Sequence, residues 1–236
     1  MPIDRYPWNG FPAVWLHADE LVVKKHPDYA AAKAGDLDSA FSLVEALASE
    51  EVIHGLAKVF NAHQPILASA HAIEKEGVNA IPEALADHLG HRLGWPVDSE
   101  IVQTNVVGHT GADGFTRMAR QAEFGGEVIE GRIYFLVDDF VGQGGTLANM
   151  RGFLIKGGGI VAGATVLTGK SYSANLTPEE GLLKQLREKH GNELENWWHE
   201  RFGFGCDCLT NSEVRYLLRT PAFDRIRDRI AAAVKD

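Results

Sequence analysis

Four short apolar runs alternate with helix-like segments between residues 65 and 170, and this alternation narrows the fold more than any other feature. The runs are PILASA from Pro65, EIVQTNVVG from Glu100, GRIYFLVDD from Gly131 and IVAGATVLTG from Ile160. The intervening segments carry helix signals, such as Pro82 in the first turn of AIPEALADHLGHRLG. Strands separated by helices indicate right-handed crossovers and a mostly parallel sheet. We therefore predict an α/β fold with a mostly parallel sheet flanked by helices.

Helical patterns flank this core on both sides. Three helices are predicted between Asp28 and Phe60; the second places Phe41, Val44 and Leu47 on one face, and Ser49 caps the third. The C-terminal side contains three more helical segments, TPEEGLLKQLREKHG, TNSEVRYLLR and FDRIRDRIAAAV. We expect a helical extension over residues 1–62, a core over 63–172 and a second helical extension over 173–236.

Composition excludes several classes of protein. The chain has 236 residues, of which 45% are hydrophobic, enough to bury a sizeable core. Its formal net charge of -9 argues against a surface that neutralises nucleic-acid phosphates or anionic lipids. No apolar run approaches the roughly 20 residues of a membrane helix, and the start MPIDRYPWNGF lacks the pattern of a signal peptide. We expect a cytoplasmic protein without a membrane or nucleic-acid partner.

The C-terminal segment contains two closely spaced cysteines and two adjacent tryptophans. Cys206 and Cys208 are too close for an ordinary disulfide framework and fit a reducing compartment. A zinc site that includes His199 is the alternative, but such a site usually needs four ligands at recognisable spacing. Trp197 and Trp198 are expected as buried packing anchors rather than as a platform for a ligand.

The third apolar run ends in the segment with the strongest functional signal, FLVDDFVGQGGTL. Asp138 and Asp139 come at the end of the predicted strand, and ligands of parallel sheets bind at the carboxyl ends of strands. A glycine-rich turn that enters a helix exposes backbone N–H groups at the positive end of the helix dipole, which suits a phosphate. Thr146 adds a hydroxyl donor. The segment predicts a site for a sugar phosphate, with the carboxylates on the sugar hydroxyls.

A purely structural role and two familiar nucleotide-binding motifs are weaker interpretations of this segment. Acid pairs end many strands and glycines occur in many turns, so either feature alone is compatible with a structural role. GQGGT lacks the spaced Gly-Lys-Ser/Thr of a P-loop. GQGGTLA has Leu147 near the place of the last small residue of a dinucleotide fingerprint.

The segment resembles the 5-phosphoribosyl 1-diphosphate (PRPP) motif of the type I phosphoribosyltransferases. In that motif four apolar residues precede two acids and a short loop that ends in small-x-Thr. The resemblance extends over roughly residues 65–170, and the ComF-like or amidophosphoribosyltransferase-like branch is nearest, through EGVNAIPEALADHLGHRLG and RMARQAEFGGEVIEGR. The chain departs from the motif at Phe140, Gly142 and Gln143, since the last two stand where the family usually has small hydroxylated residues.

The resemblance implies roles for particular residues. It implies that Asp138 and Asp139 are the catalytic acids that face the ribose hydroxyls, and that residues 108–131 form a mobile hood. The remaining substrate-binding residues implied are Ser69, Ala70 and His71 for the diphosphate, Val141, Gly142, Gln143, Gly144, Gly145 and Thr146 for the 5-phosphate, and Arg117 and Arg120 from the hood. His71 and both arginines also have structural alternatives, in strand-end packing and in solvated loop charges.

The implied activity is transfer of a phosphoribosyl group between PRPP and a nitrogenous acceptor, or the reverse, with Mg²⁺ bound to the diphosphate and no metal site of the protein's own. Lys170 is placed either to approach the acceptor or to form a salt bridge. The resemblance does not name the acceptor, and it suggests a homodimer. A second hypothesis is a sensor that binds PRPP or a nucleotide without turnover, and a third is a scaffold whose C-terminal segment binds a protein.

Overall fold

The computed structural model describes residues 3–71, 78–105 and 113–235. A five-stranded sheet lies at its centre, in the order β1-β7-β6-β2-β3, and every pairing is parallel. The strands are β1 (Trp15–Ala18), β2 (Ile66–Ser69), β3 (Val97–Asp98), β4 (Val102–Gln103), β5 (Phe124–Gly125), β6 (Ile133–Val141) and β7 (Ile160–Gly169). β4 and β5 form a separate antiparallel pair. The predicted α/β fold with a parallel sheet and flanking helices is confirmed.

Helices cover the sheet and continue beyond it. The described helices are α1 (Glu20–Lys25), α2 (Tyr29–Lys33), α3 (Leu37–Leu47), α4 (Glu50–Phe60), α5 (Ile81–Leu93), α6 (Gly114–Ala119), α7 (Gly145–Lys156), α8 (Glu180–Phe202), α9 (Asn211–Leu218) and α10 (Phe223–Lys235). α8 is interrupted at Gly191, whose φ of 63° and ψ of -170° are not helical. Ser49 caps α4 as predicted, because its side chain accepts a hydrogen bond from the backbone N–H of Val52. Among the described residues, no helix is long and apolar enough to cross a bilayer.

Both faces of the sheet are buried, as the continuous apolar run of β6 predicts for a parallel strand. Phe135 points into a cluster formed with α3, α4 and α5, which includes Phe60 and Trp95. The next residues on either side, Tyr134 and Leu136, point into the opposite cluster, formed with α7 and the N-terminal segment. Because side chains alternate between the two faces, successive residues near the carboxyl end of β6 point to opposite sides of the sheet.

A third apolar cluster joins α6 to the C-terminal helices α8, α9 and α10. Trp198 lies buried in it with 1% of its surface exposed, which confirms the packing expectation for this residue. Trp197 is half-buried, and its ring centroid lies 5.9 Å from that of Phe223 in an edge-on contact. The short helix α6, which comes before the glycine-rich loop in the chain, therefore packs on the C-terminal helices.

Three of the four strand predictions are confirmed, and one is wrong in its placement. The described part of EIVQTNVVG, residues 100–105, supplies no strand of the main sheet. Within it, only Val102 and Gln103 form a strand, which pairs antiparallel with β5. The main sheet instead ends in β3, and the Asp98 side chain accepts the N–H groups of Glu100 at 2.9 Å and Ile101 at 3.0 Å. This turn redirects the chain before the apolar run begins.

Two features of the N-terminal segment differ from the expectations drawn from sequence. β1 is a strand that no sequence pattern predicted, and it occupies the edge of the sheet beside β7. In α3 the buried side chains are Ala40, Leu43 and Val44, whereas Phe41 is 42% exposed, so the predicted face was wrong at Phe41. The buried face of α3 packs on α2 and α5. This face is centred on Ala40 rather than on the next residue, Phe41.

Candidate functional site

Asp138 and Asp139 lie near the carboxyl end of β6, as predicted from the apolar run before them, although the strand continues past them to Val141. Asp138 is 7% exposed, and its Oδ1 accepts the backbone N–H of Asp139 at 2.8 Å. Burial and the adjacent Asp139 carboxylate raise the pKa of Asp138 well above its ordinary value. Asp138 thus takes up a proton more easily than an ordinary aspartate does, and Asp139 is the less buried of the two residues.

Lys33 is a site residue that no sequence pattern predicted. Its Nζ lies 2.8 Å from Oδ2 of Asp139, although the two residues are 106 positions apart. Burial alone lowers the pKa of Lys33, but the attraction and hydrogen bond of Asp139 outweigh it, and the net direction is upward. α2 is placed by its residue Ala32, which is buried and accepts the N–H of Ala80 at 3.1 Å. The contact depends on this tertiary packing, so no local signal in the sequence pointed to it.

The glycine-rich loop turns from β6 into α7 as predicted. Gly144 occupies the N-cap position with a φ of +81°, and no side chain in the described ranges caps the helix. A methyl group added to Gly144 would lie 2.4 Å from Cδ2 of Leu176. Backbone and packing both demand glycine here. The first N–H groups of an α-helix have no intrahelical partner, so the start of α7 at Gly145 and Thr146 offers donors to an anion.

The C-terminal helices contact one side of this loop. The Thr210 hydroxyl, at the start of α9, donates to the carbonyl oxygen of Gln143 at 2.5 Å. Both side-chain amide atoms of Gln143 are buried, and neither has a hydrogen-bond partner within the described part of the chain. A methyl group on Gly114 would lie 2.7 Å from the Gln143 amide nitrogen. Gln143, one of three residues that depart from the motif that this loop resembles, is therefore enclosed between α6 and α9.

Ser69, Ala70 and His71 lie beside the acid pair, since β2 and β6 are neighbours. Ser69 pairs in register with Val137, and the N–H of Ala70 donates to the carbonyl oxygen of Val137 at 2.9 Å. The Ser69 hydroxyl lies 2.7 Å from Nδ1 of the buried His71 ring. The structure thus brings these residues, the acids and the glycine-rich loop to one edge of the sheet.

The two arginines of the predicted hood differ in placement. A methyl group on Gly142 would lie 3.3 Å from a guanidinium nitrogen of Arg117, so Arg117 lies next to the loop. Arg120 instead donates from Nε to the carbonyl oxygen of Ala233 in α10 at 2.9 Å. Asp113 also pairs with Arg229 of α10. The structure brings Arg117 to the loop and attaches Arg120 to the C-terminal helices.

The hood prediction falls partly outside the described residues, which exclude 106–112. The described remainder contains α6 and β5. β5 pairs with β4, and the N–H of Gln103 in β4 donates to the carbonyl oxygen of His71 at 2.7 Å. β5, which lies inside the predicted hood, is therefore held beside the end of β2 by β4, which precedes the hood.

A groove of about 590 Å³ opens at the same edge of the sheet, at the ends of β1 and β7. Its lining includes Asp19, Leu21, Lys170 and Tyr172. Lys170 lies with Nζ 5.9 Å from the centroid of the Tyr172 ring, and its N–H donates to the carbonyl oxygen of Val141, the last residue of β6. The structure places Lys170 next to the strand that bears the acids.

The cysteines lie in a single 3-10 turn, Cys206–Cys208, and both are buried. Burial, with the nearby Glu195 carboxylate, raises the pKa of Cys206 far above its ordinary value, and burial with Asp207 raises the pKa of Cys208 to about 11. Both thiols are thus protonated at neutral pH. Within residues 3–71, 78–105 and 113–235, no group of three or more His, Cys, Asp or Glu side chains is arranged to hold a metal.

Comparisons with known proteins give two relatives, while no protein-family model matches the chain. The chain is 40% identical over 230 residues to Protein TraN of Escherichia coli, an alignment that covers 98% of this chain and 51% of that protein. It is 37% identical over 153 residues to an uncharacterized protein of Haemophilus influenzae, which covers 64% of this chain and 34% of that protein. The chain thus spans about half of the first relative and about a third of the second.

Proposed function

We propose that this chain binds PRPP and transfers a phosphoribosyl group between PRPP and a nitrogenous acceptor. The observation that carries the proposal is the edge of the sheet where Asp138 and Asp139 adjoin the glycine-rich start of α7, beside Ser69 at the end of β2. Backbone N–H groups that can donate to a phosphate lie at the same end of β6 as two carboxylates. This combination suits a ligand with both an anionic group and sugar hydroxyls.

The proposed binding mode assigns a part of PRPP to each side of this edge. Backbone N–H groups from Gly142 to Thr146 hold the 5-phosphate, and each hydrogen bond to a charged oxygen contributes about 1.5–3 kcal/mol. The acid pair accepts hydrogen bonds from the ribose hydroxyls and stabilises positive charge on the ribose ring as the C1–O bond breaks. Ser69 and His71 face the diphosphate, and Arg117 adds positive charge next to Gly142.

The residues at this edge fit magnesium that arrives with the substrate. Mg²⁺ prefers oxygen ligands and is usually held by one or two carboxylates together with substrate phosphates and water. The carboxylate of Asp139 and the hydroxyl of Ser69 supply oxygens of that kind. When bound, the ion neutralises charge on the departing diphosphate.

Titration calorimetry tests the binding half of the proposal. We expect the wild-type chain to bind ribose 5-phosphate, and PRPP with magnesium more tightly, whereas Asp139→Asn weakens both. The same side-chain shape with no charge makes Asp139→Asn a matched replacement. A wild-type chain that binds neither ligand at millimolar concentration would refute the proposal.

Exchange of labelled diphosphate into PRPP, measured with a panel of purine and pyrimidine bases, tests the catalytic half. We expect exchange with at least one base and its loss in Asp139→Asn. Two observations support the alternative of a non-catalytic PRPP sensor: Lys33 already pairs with Asp139, and Gln143 replaces a small residue of the motif. Tight binding of PRPP without exchange on any base would favour that alternative.

A further inference from the structure

Three charged groups meet at the end of β6: the carboxylates of Asp138 and Asp139 and the ammonium of Lys33. The ammonium contacts Oδ2 of Asp139, and the side chain of Asp139 is only 13% exposed. Two neighbouring carboxylates disfavour each other's charge, so a cation in direct contact stabilises the ionised form of the pair. Lys33 is delivered to this point by the N-terminal extension, from outside the sequence that resembles the PRPP motif.

The ion pair leaves acceptor positions of the Asp139 carboxylate that Lys33 does not use. A carboxylate has two oxygens with about four acceptor positions in total, and Lys33 contacts Oδ2. Sugar hydroxyls can therefore bind Asp139 while the ion pair persists. The side chain of Lys33 is 37% exposed, so solvent reaches the ion pair.

An uncompensated carboxylate at this position would repel the ligand that the loop attracts. The glycine-rich start of α7 follows Asp139 by only a few residues, so a phosphate held there lies near the acid pair. Two like charges about 10 Å apart near a protein surface change a binding constant by about tenfold. The ammonium of Lys33 offsets this repulsion.

We propose that Lys33 is a positioning residue of the sugar-phosphate site, which fixes the Asp139 carboxylate and balances its charge so that an anionic sugar can bind beside it. This inference rests on the proposed function, because it assumes that the ligand carries a phosphate. It assigns the N-terminal helical segment to the binding site rather than to the scaffold.

Titration calorimetry on the full chain with ribose 5-phosphate and with PRPP plus magnesium tests the inference. We expect Lys33→Met to weaken binding of ribose 5-phosphate about tenfold, and to weaken PRPP more because PRPP carries more negative charge. Lys33→Arg keeps the positive charge and should restore most of the affinity. Lys156→Met is the matched control, because Lys156 also pairs with an aspartate, Asp4, but at the far end of α7.

The possible results distinguish a positioning role from a latch and from a structural ion pair. Tighter binding by Lys33→Met would overturn the inference, since Lys33 would then be a latch that ligands must displace. Unchanged affinity in Lys33→Met would mean that the ion pair is only structural. In an Asp139→Asn background Lys33→Met should have a smaller effect, because the lost positive charge still weakens binding of an anion but no Asp139 carboxylate remains to be positioned. An equal effect in both backgrounds would show that Lys33 acts through its charge alone and would overturn the positioning role. A wild-type chain that binds neither ligand would refute the proposed function itself, whereas wild-type binding with an unchanged Lys33→Met refutes the role of Lys33 alone.

Discussion

Asp138 and His17 are buried titratable residues whose pKa values shift in opposite directions. Burial raises the pKa of Asp138, so the strand end that forms the candidate site becomes less stable as the pH rises above the ordinary range of aspartate. Burial and the nearby His88 lower the pKa of His17 to about 4. His17 therefore destabilises the fold in acid, while the site residue Asp138 does so toward neutral pH. A binding site that needs a carboxylate in an apolar setting carries such a cost.

The pH dependence of His17 can be predicted with its sign. Nδ1 of His17 accepts the N–H of Ser49 at 3.0 Å, so the neutral ring is the form that fits. The unfolded chain binds a proton at an ordinary pKa of about 6.5 and the folded chain only near 4, so stability is lost as the pH falls between these values. We expect wild type to lose about 2–3 kcal/mol on this account between about pH 7.5 and pH 4.5.

Urea unfolding at the two pH values measures this loss. His17→Asn keeps an acceptor for the Ser49 N–H but cannot take up a proton, so its stability should fall less than that of wild type. His63→Asn replaces an exposed histidine and should follow the wild-type slope. Equal slopes for wild type and His17→Asn would show that His17 is not the group responsible.

At the scale of elements, the sequence predicted the strands and helices whose signals lie within one short segment. β6, its loop and α7 were predicted because an apolar run, two acids and glycines act within one short segment. β1 and β3 were not, because a strand of four residues or two gains its stability from partners elsewhere, such as the pairing of Trp15 with Thr165. The contact of Lys33 with Asp139 was missed for the same reason. Sequence therefore predicted the acids and the glycine-rich loop and missed the cation that pairs with Asp139.

Gly144→Ala tests whether the loop depends on its left-handed residue. A φ of +81° disfavours any side chain by about 1–2 kcal/mol, and overlap with Leu176 adds to this cost. We expect a loss of at least about 2 kcal/mol in urea unfolding, together with weaker binding of ribose 5-phosphate.

Gly181→Ala is the control for this loop variant. Gly181 lies in the first turn of α8, and a methyl group there would have no described atom within 4 Å. Alanine should leave stability unchanged or raise it by up to about 1 kcal/mol, because alanine favours helix. If Gly144→Ala were as stable as Gly181→Ala, the loop could adopt another conformation. The proposal of a rigid loop that holds the phosphate would then be wrong.

At the scale of the whole molecule, the N-terminal segment meets the start of α9 beside α7. Arg5 forms a buried ion pair with Glu213 at 2.7 Å, with 2% of each side chain exposed, and its Nε donates to Oδ1 of Asn149 in α7 at 2.7 Å. The indole of Trp8 donates to the carbonyl oxygen of Leu209 at 2.7 Å. A methyl group on Gly145 would lie 3.3 Å from Arg5 and 3.2 Å from Glu213, so this junction adjoins the start of α7. Both extensions thus support the loop that the core provides.

Arg5→Met tests this junction. Removing the arginine leaves the Glu213 carboxylate buried without its cation, which typically costs about 3–5 kcal/mol. Glu213 also accepts the N–H of Thr210 in the capping box of α9, so the start of that helix should loosen as well. We expect a large fall in the urea midpoint and faster amide hydrogen exchange in α9 than in α5, which the junction does not touch.

Arg92→Met is the matched control for the buried pair. Arg92 makes two hydrogen bonds of 2.6 Å to Glu50, shorter than those of Arg5, but it lies on the surface, where water and salt screen such pairs. Burial rather than bond length should therefore decide the ranking. If the two variants lost equal stability, the buried pair of Arg5 would not hold the N-terminal segment to α9 beside α7. The C-terminal helices would then be held by the apolar contacts of Trp198 and its neighbours alone.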